Sequence, residues 1–240
     1  MRLPVVCFKC YKPTTPPPAG SVHFQELQDS GVYTFTCSNG HTTIAFLREE
    51  RFEILYQLAA YAILDGYYRE AVASFTASYE GFCEFYLRVM GRKKEIPVDQ
   101  FEVSLNRLVS QSERVLGAYT ITYTLEHGSS PPFIHPEQVK FRNKVVHRGR
   151  FPTREEAEAF GQEVADAIYP VLSHLKRHER EHVANVTDAR IKQLCRETNE
   201  GAQSIVLPGI ININRISPDR HPVLKECLLE LERTRISRGW

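Results

Sequence analysis

At 240 residues, with 42% apolar and 25% charged side chains, the chain has the length for one good core plus a smaller module and the composition of a soluble globular protein. A net charge of +1 supplies no global basic field, so any contact with nucleic acid must rest on local patches. No apolar run approaches the ~20 residues of a membrane span and no signal-peptide pattern opens the chain, so no membrane partner is expected and a cytoplasmic protein is, despite its six cysteines.

Three sections follow in chain order: 1–47, 48–182 and 183–240. The first is rich in Pro and Thr, with a short Pro16-Pro17-Pro18 tract, and alternates like strand in Val32-Tyr33-Thr34-Phe35-Thr36 and Thr42-Thr43-Ile44-Ala45-Phe46. Two ligand pairs lie beside these segments, Cys7-x2-Cys10 and Cys37-x3-His41. Soft and borderline donors in two tight pairs suit tetrahedral Zn2+, with His23 as another possible fourth ligand. Four protein ligands leave no open position, so a zinc ribbon with a structural ion is expected. Cys83, Cys195 and Cys227 are scattered through helical patterns and read as small core hydrophobes.

From Arg48 the period changes to that of helix. Phe52, Leu55, Tyr56, Ala59 and Ile63 make an apolar stripe that Asp65-Gly66 stops. A second helix is expected over Tyr67–Met90, with Phe75, Tyr79, Phe82 and Tyr86 inward. Asp99 and Glu102 have capping-box spacing for a third long helix. After the Ser129–Pro132 loop, Pro136 to Arg148 can form a short helix that Gly149 ends, with Val139, Phe141 and Val146 as its apolar contacts. Thr153-x2-Glu156 is a second capping-box signature, opening a helix that Pro170 should kink or interrupt with an irregular turn. Further on, Ser204–Leu207 and Ile210–Ile216 read as short strands around Pro208-Gly209, and Pro222–Ile236 as an amphipathic helix, making a small α+β C-terminal extension.

The short helix holds the chemistry. Arg142, Asn143 and His147 put a guanidinium, an amide and an imidazole within six residues, the groups needed to grip a phosphodiester and move a proton beside it. Two other Arg/His spacings compete. Pro218 and Pro222 interrupt Arg215…His221, and Arg177…His182 lies in a charged run with the look of a solvated face. At ~100° per residue, Asn143 and His147 share a face while Arg142 lies roughly 140° from His147. Glu80 and Glu84, one turn apart, are either hydrogen-bonding support for this helix or a polar stripe. Arg148, Arg150 and Arg154, like Arg92-Lys93-Lys94, can follow an RNA backbone or can serve as solvated surface.

With these residues in view, the section 48–180 resembles the HEPN superfamily of helical bundles that act on nucleic acid. The likeness rests on Tyr61-x4-Gly66-Tyr67-Tyr68-x-Glu70-Ala71, on Glu80 and Glu84, and above all on Arg142-Asn143-x3-His147 before the last core helix. The resemblance implies a mainly α fold and a metal-independent endoribonuclease whose site is completed by homodimerisation, often in defence or toxin–antitoxin systems. An antitoxin or other regulatory protein is then a further partner. In such a site His147 is the acid or base and Arg142 the phosphate clamp, while the ribose 2′-OH is the nucleophile. The alternative is a non-catalytic module that binds nucleic acid or protein on the same bundle.

Overall fold

The structure is a computed structural model and describes residues 2–10, 22–198, 202–207, 209–216 and 221–238. The Pro16-Pro17-Pro18 tract, Pro208 and Pro218 lie outside the described residues. In chain order the elements are β1 (Arg2–Val6), β2 (Val22–Glu26), β3 (Val32–Thr36), β4 (Thr42–Leu47), α1 (Arg51–Leu64), α2 (Tyr68–Lys93), α3 (Val98–Asn106), α4 (Ser112–His127), α5 (Pro136–Arg148), α6 (Arg154–His178), α7 (Arg180–Thr198), β5 (Gln203–Ile205) and α8 (Leu224–Arg238). The protein is mainly helical with small sheets. It divides into two compact units, Met1–Glu49 with Thr187–Leu207, and Glu50–Val186 with Pro208–Trp240.

In the smaller unit, β1 pairs antiparallel with β2 and β3 antiparallel with β4. The alternation along β3 buries Tyr33 and Phe35 and exposes Thr34 and Thr36, as period-2 patterning requires. Val5, Phe35 and Ala45 pack with Cys7 and Cys37 in a core of few side chains. Part of the unit comes from far along the chain. β5 adds to β4 in parallel, with Phe46 opposite Ser204, so the strand falls one residue earlier than the expected Ser204 start. Arg190 donates to the Leu47 and Arg48 carbonyls at 3.4 and 3.3 Å, and the Glu49 carboxylate accepts the Leu207 N–H at 2.7 Å.

The larger unit is built around α2, which packs against α1, α3, α4, α5 and α6. Ala71, Val72, Phe75, Tyr79, Phe82, Tyr86 and Val89 recur at three- and four-residue spacing and are all buried. Aromatic rings lock the neighbours on. Phe52 of α1 meets Phe82 edge-on at 5.5 Å, and Tyr119 of α4 meets Tyr86 at 5.1 Å. The Tyr56 hydroxyl donates to the Gly161 carbonyl of α6 at 3.0 Å, so this buried phenol is satisfied.

Several expectations change here. The Asp99/Glu102 capping box does not form. Pro97 is the N-cap of α3, and Glu102 turns instead to Arg88 of α2, which donates to both its oxygens at 3.1–3.3 Å. The third helix is also broken at residues 107–111 into α3 and α4. α6 runs helical through Pro170, with its Thr153/Glu156 capping box in place. Ile210–Ile216 is no strand, because its backbone is taken by side chains. Gln57 accepts the Ile210 N–H at 3.0 Å, Glu53 accepts the Ile213 N–H at 2.6 Å, and Asn212 closes an Asx turn onto Asn214 and Arg215. Of the three scattered cysteines, Cys83 is buried, Cys227 half-buried and Cys195 exposed, so only the first is a core residue.

Candidate functional site

α5 is short and is defined at both ends. Pro136 occupies its first turn, and the His135 ring accepts the Glu137 N–H at 3.3 Å as an N-cap. The His135 N–H itself donates to Glu163 of α6 at 3.2 Å. At the other end Gly149 takes the left-handed conformation (φ 70°) and returns its N–H to the Lys144 carbonyl. The buried anchor is Val145, rather than the Val139 and Val146 suggested by pattern. Val139 is 37% exposed, and Phe141 is only half-buried, 6.1 Å from Phe160.

Arg142 is half-buried on this helix, and its guanidinium donates to the Asn143 side-chain oxygen at 2.9 Å. That bond fixes the fork of Arg142 and leaves the Asn143 amide NH2 directed elsewhere. His147 is exposed in the last turn. Arg142 also lines a cleft of about 630 Å³, walled by residues of α2, α4, α6 and the 133–136 segment that enters α5. His147 does not line it. The two side chains therefore face different surroundings, as their helical phase predicts.

The two glutamates part company. Glu80 lines the cleft; burial raises its carboxyl above the usual range, against the opposing influence of Arg142 and of Ser112. Glu84 pairs with Arg88 at 3.4 Å on the side of α2 that holds α3. The basic residues divide as well. Arg150 pairs with Glu156 and lies over the Phe141 ring at 5.3 Å, and Arg154 pairs with Glu158 at 2.8 Å. Arg148 is exposed. Lys93 and Lys94 are bound to Glu126 at 2.7 and 3.2 Å, and Lys93 also to Glu179, so that cluster is largely neutralised.

In the smaller unit Cys7, Cys10, Cys37 and His41 converge, with all four donor atoms within 4.8 Å of one another. The separations are 3.8 Å for Cys10 Sγ to Cys37 Sγ, and 3.2, 3.8 and 3.9 Å from His41 Nδ1 to Cys10, Cys37 and Cys7. A tetrahedral ion with bonds of about 2.3 Å to sulfur and 2.0–2.1 Å to nitrogen spaces its donors about 3.5–3.8 Å apart. The set therefore fits a metal ion. The turns that carry it are tight. The Cys10 N–H donates to the Cys7 carbonyl and the Gly40 N–H to the Cys37 carbonyl, with Gly40 at φ 77°. Around the sulfurs, Thr43 donates to Cys7 at 3.6 Å and Asn39 to Cys10 at 3.3 Å. Burial pushes the Cys7 thiol up, but hydrogen bonds with Thr43, the Cys10 backbone and the Cys37 and Cys10 thiols together bring it down to about 6. His23 is not in the set; its ring packs on Phe35 at 4.8 Å.

No protein-family model, curated protein or solved structure matches this chain. Sequence reading missed the cleft, and with it Tyr79, Glu113, Phe133 and Val139 as neighbours of Arg142. One signal was present. Phe133-Ile134 is an apolar pair between a Pro-rich loop and a charged helix, where nothing in the local pattern calls for one.

Proposed function

We propose that the chain is a metal-independent endoribonuclease of the HEPN type, with a zinc ribbon as its smaller unit. The observation that carries this reading is the presentation of Arg142, Asn143 and His147 on one short helix capped at both ends, with the imidazole exposed and the guanidinium oriented by the neighbouring amide. RNA supplies its own nucleophile, the ribose 2′-OH. The protein has to hold the phosphate, transfer protons and stabilise charge on the phosphorane. Arg142 grips non-bridging oxygens through its planar fork. His147 carries the proton, a role that contributes typically ~10²–10⁴-fold. Two copies of His147 would divide the work, one taking the proton of the 2′-OH and the other giving one to the leaving 5′-oxygen.

Because Arg142 and His147 diverge on a single helix, two copies facing across a dimer are proposed to complete one cleft. Arg148, exposed like Arg150 but outside the ion pairs that hold Arg150 and Arg154, is the proposed contact to the RNA backbone, with the other two able to join by exchanging their glutamates for phosphate. The ion held by Cys7, Cys10, Cys37 and His41 is assigned as Zn2+ from its thiolate and imidazole donors, and it supplies folding energy to the small unit. A cytoplasmic role in defence or in a toxin–antitoxin pair, with an antitoxin or regulatory protein as partner, follows from the same reading. One observation favours the rival, a non-catalytic binding module: most lysines and arginines near α5 and α2 are paired with glutamates.

Light scattering and RNA cleavage by the purified protein separate the two. A dimer that cuts RNA and loses cutting in Arg142→Ala and His147→Ala, with thermal unfolding unchanged, supports the nuclease. A dimer or monomer that binds RNA without cutting it supports the binding module, and a monomer whose cutting is first order in enzyme overturns the composite site.

A further inference from the structure

We propose that the cleft beside Arg142 seats a guanine base of the RNA, next to the phosphate that Arg142 holds. This rests on the ribonuclease reading and adds a base preference to it. The volume of about 630 Å³ is in the range of small-ligand pockets, well beyond the space for a few waters. The walls suit a flat aromatic face. Tyr79, Phe133 and Phe160 contribute rings, Val115 and Val139 aliphatic surface, and Phe133 is half exposed.

The polar groups are divided by helix in a way that selects the ligand. α5 brings cations, Arg142 and Lys140, while α2 and α4 bring carboxylates, Glu80 and Glu113. A purely anionic ligand would meet the glutamates and a purely cationic one the basic pair. A nucleotide with donors on its base edge meets each with the opposite character. Among the four bases, only guanine presents two adjacent N–H donors, N1–H and N2–H, which match the two oxygens of one carboxylate. Adenine and cytosine set an acceptor beside their amino group, and uracil flanks its N–H with two carbonyls, so each places an oxygen or nitrogen lone pair against Glu80. Guanine also carries O6 beside N1–H. The Tyr79 hydroxyl, in the same wall and only 7% exposed, bonds to no nitrogen or oxygen and has only the weakly accepting Cys83 thiol beside it. It is a donor in want of such an acceptor.

The test is calorimetric titration of the full-length protein with 5′-GMP, AMP, UMP and CMP. It is repeated on Glu80→Gln, which turns one oxygen of the pair into a donor, and on Val139→Trp, which fills the cleft from a partly exposed position. GMP is expected to bind at least about tenfold more tightly than the other three, with that preference lost in Glu80→Gln and all four weakened in Val139→Trp. Equal binding of the four, no binding at millimolar concentration, or undiminished GMP binding in Val139→Trp overturns the proposal. Should Glu80→Gln fail to fold, Val139→Trp decides alone. Cleavage is scored separately. Cutting of RNA with no GMP preference leaves the nuclease standing and removes the guanine site, whereas selective GMP binding by a protein that never cuts RNA removes the nuclease.

Discussion

Glu53 shows how much a single buried carboxylate can organise. One oxygen accepts the Glu50 N–H at 2.7 Å and completes a capping box at the start of α1; the other accepts the Ile213 N–H at 2.6 Å. The side chain is 3% exposed and its bond to Ile213 is buried, so that amide finds no water if the carboxylate is removed. Glu53→Ala is expected to cost about 2–4 kcal/mol, measured by urea unfolding, since it strands one buried donor that had a charged acceptor and undoes a capping box. Glu53→Gln keeps one oxygen and should lose about half as much. A loss below about 0.5 kcal/mol for the alanine variant would mean that water replaces the carboxylate. The sequence hid this role. Gln57 and Glu53 look like the polar edge of an amphipathic helix, and their partners lie more than 150 residues away, at separations of 153 and 160. The same distance explains why Ile210–Ile216 looked like a strand. Its alternation is real, but the acceptors that would have made it a ladder are side chains of α1. Arg142, Asn143 and His147 were legible as one helix because the signals that start and end α5 are local: Pro136, the last-turn His147 and Arg148, and Gly149.

At the scale of elements, the ends of α2, α4 and α6 meet in a cluster of titrating groups. His127 and His174 lie edge to face at 4.9 Å, His174 and His178 at 4.5 Å, and the Tyr86 hydroxyl is 3.2 Å from His127 Nε2. Burial lowers both His127 and His174 below the usual imidazole value, helped by Lys93 and, for His174, by His127 and His178. Glu179 opposes the shift at both rings, and Glu126 at His127. The unfolded chain therefore takes up these protons at a higher pH than the folded one. Stability should be full above pH ~6.5, fall as the pH drops below it, and level off once the folded rings are also charged. Urea unfolding between pH 7 and 5 measures this, and His127→Gln with His174→Gln should flatten the decline. A decline of the same steepness in that double variant would place its origin elsewhere. Packing of the helices themselves is tight at Gly161, where a Cβ would come within 2.6 Å of Phe75 and Leu224. Gly161→Ala gains about 1 kcal/mol of helix propensity but forces the fully buried Phe75 to move, so a net loss of about 1–2 kcal/mol in urea unfolding is expected. The cleft escaped sequence reading for a related reason. Its walls come from α2, α4, α6 and the entry to α5, and no window of the sequence holds more than one of them.

Across the whole molecule, the two units draw their stability from different sources. The larger has a continuous core through α1, α2, α4, α5 and α6, whereas in the smaller the core beside the Cys/His set holds five buried side chains, two of them its own cysteines. A core that small needs a staple, and a bound ion is the one the donor geometry offers. Protein purified without added metal should contain about one zinc per chain, and Cys10→Ser should lose it. Scanning calorimetry should then show the small unit's transition falling or vanishing while that of the helical unit stays in place. Full metal content in Cys10→Ser, or a single unaltered transition, would remove the site.

The claim on which the rest depends is that α5 carries an RNA-cleaving site, and it is tested most directly by one substrate comparison. An RNA strand and the same strand with a single 2′-deoxy residue at the mapped cut site are incubated with the protein in EDTA, under conditions where the small unit remains folded. The 2′-OH is the proposed nucleophile, so the first should be cut to a 2′,3′-cyclic phosphate and a 5′-OH, and the second should stay intact at that position; His147→Ala should leave both intact. Equal cutting of the deoxy strand, cutting only when Mg2+ is added, or full activity in His147→Ala would contradict it.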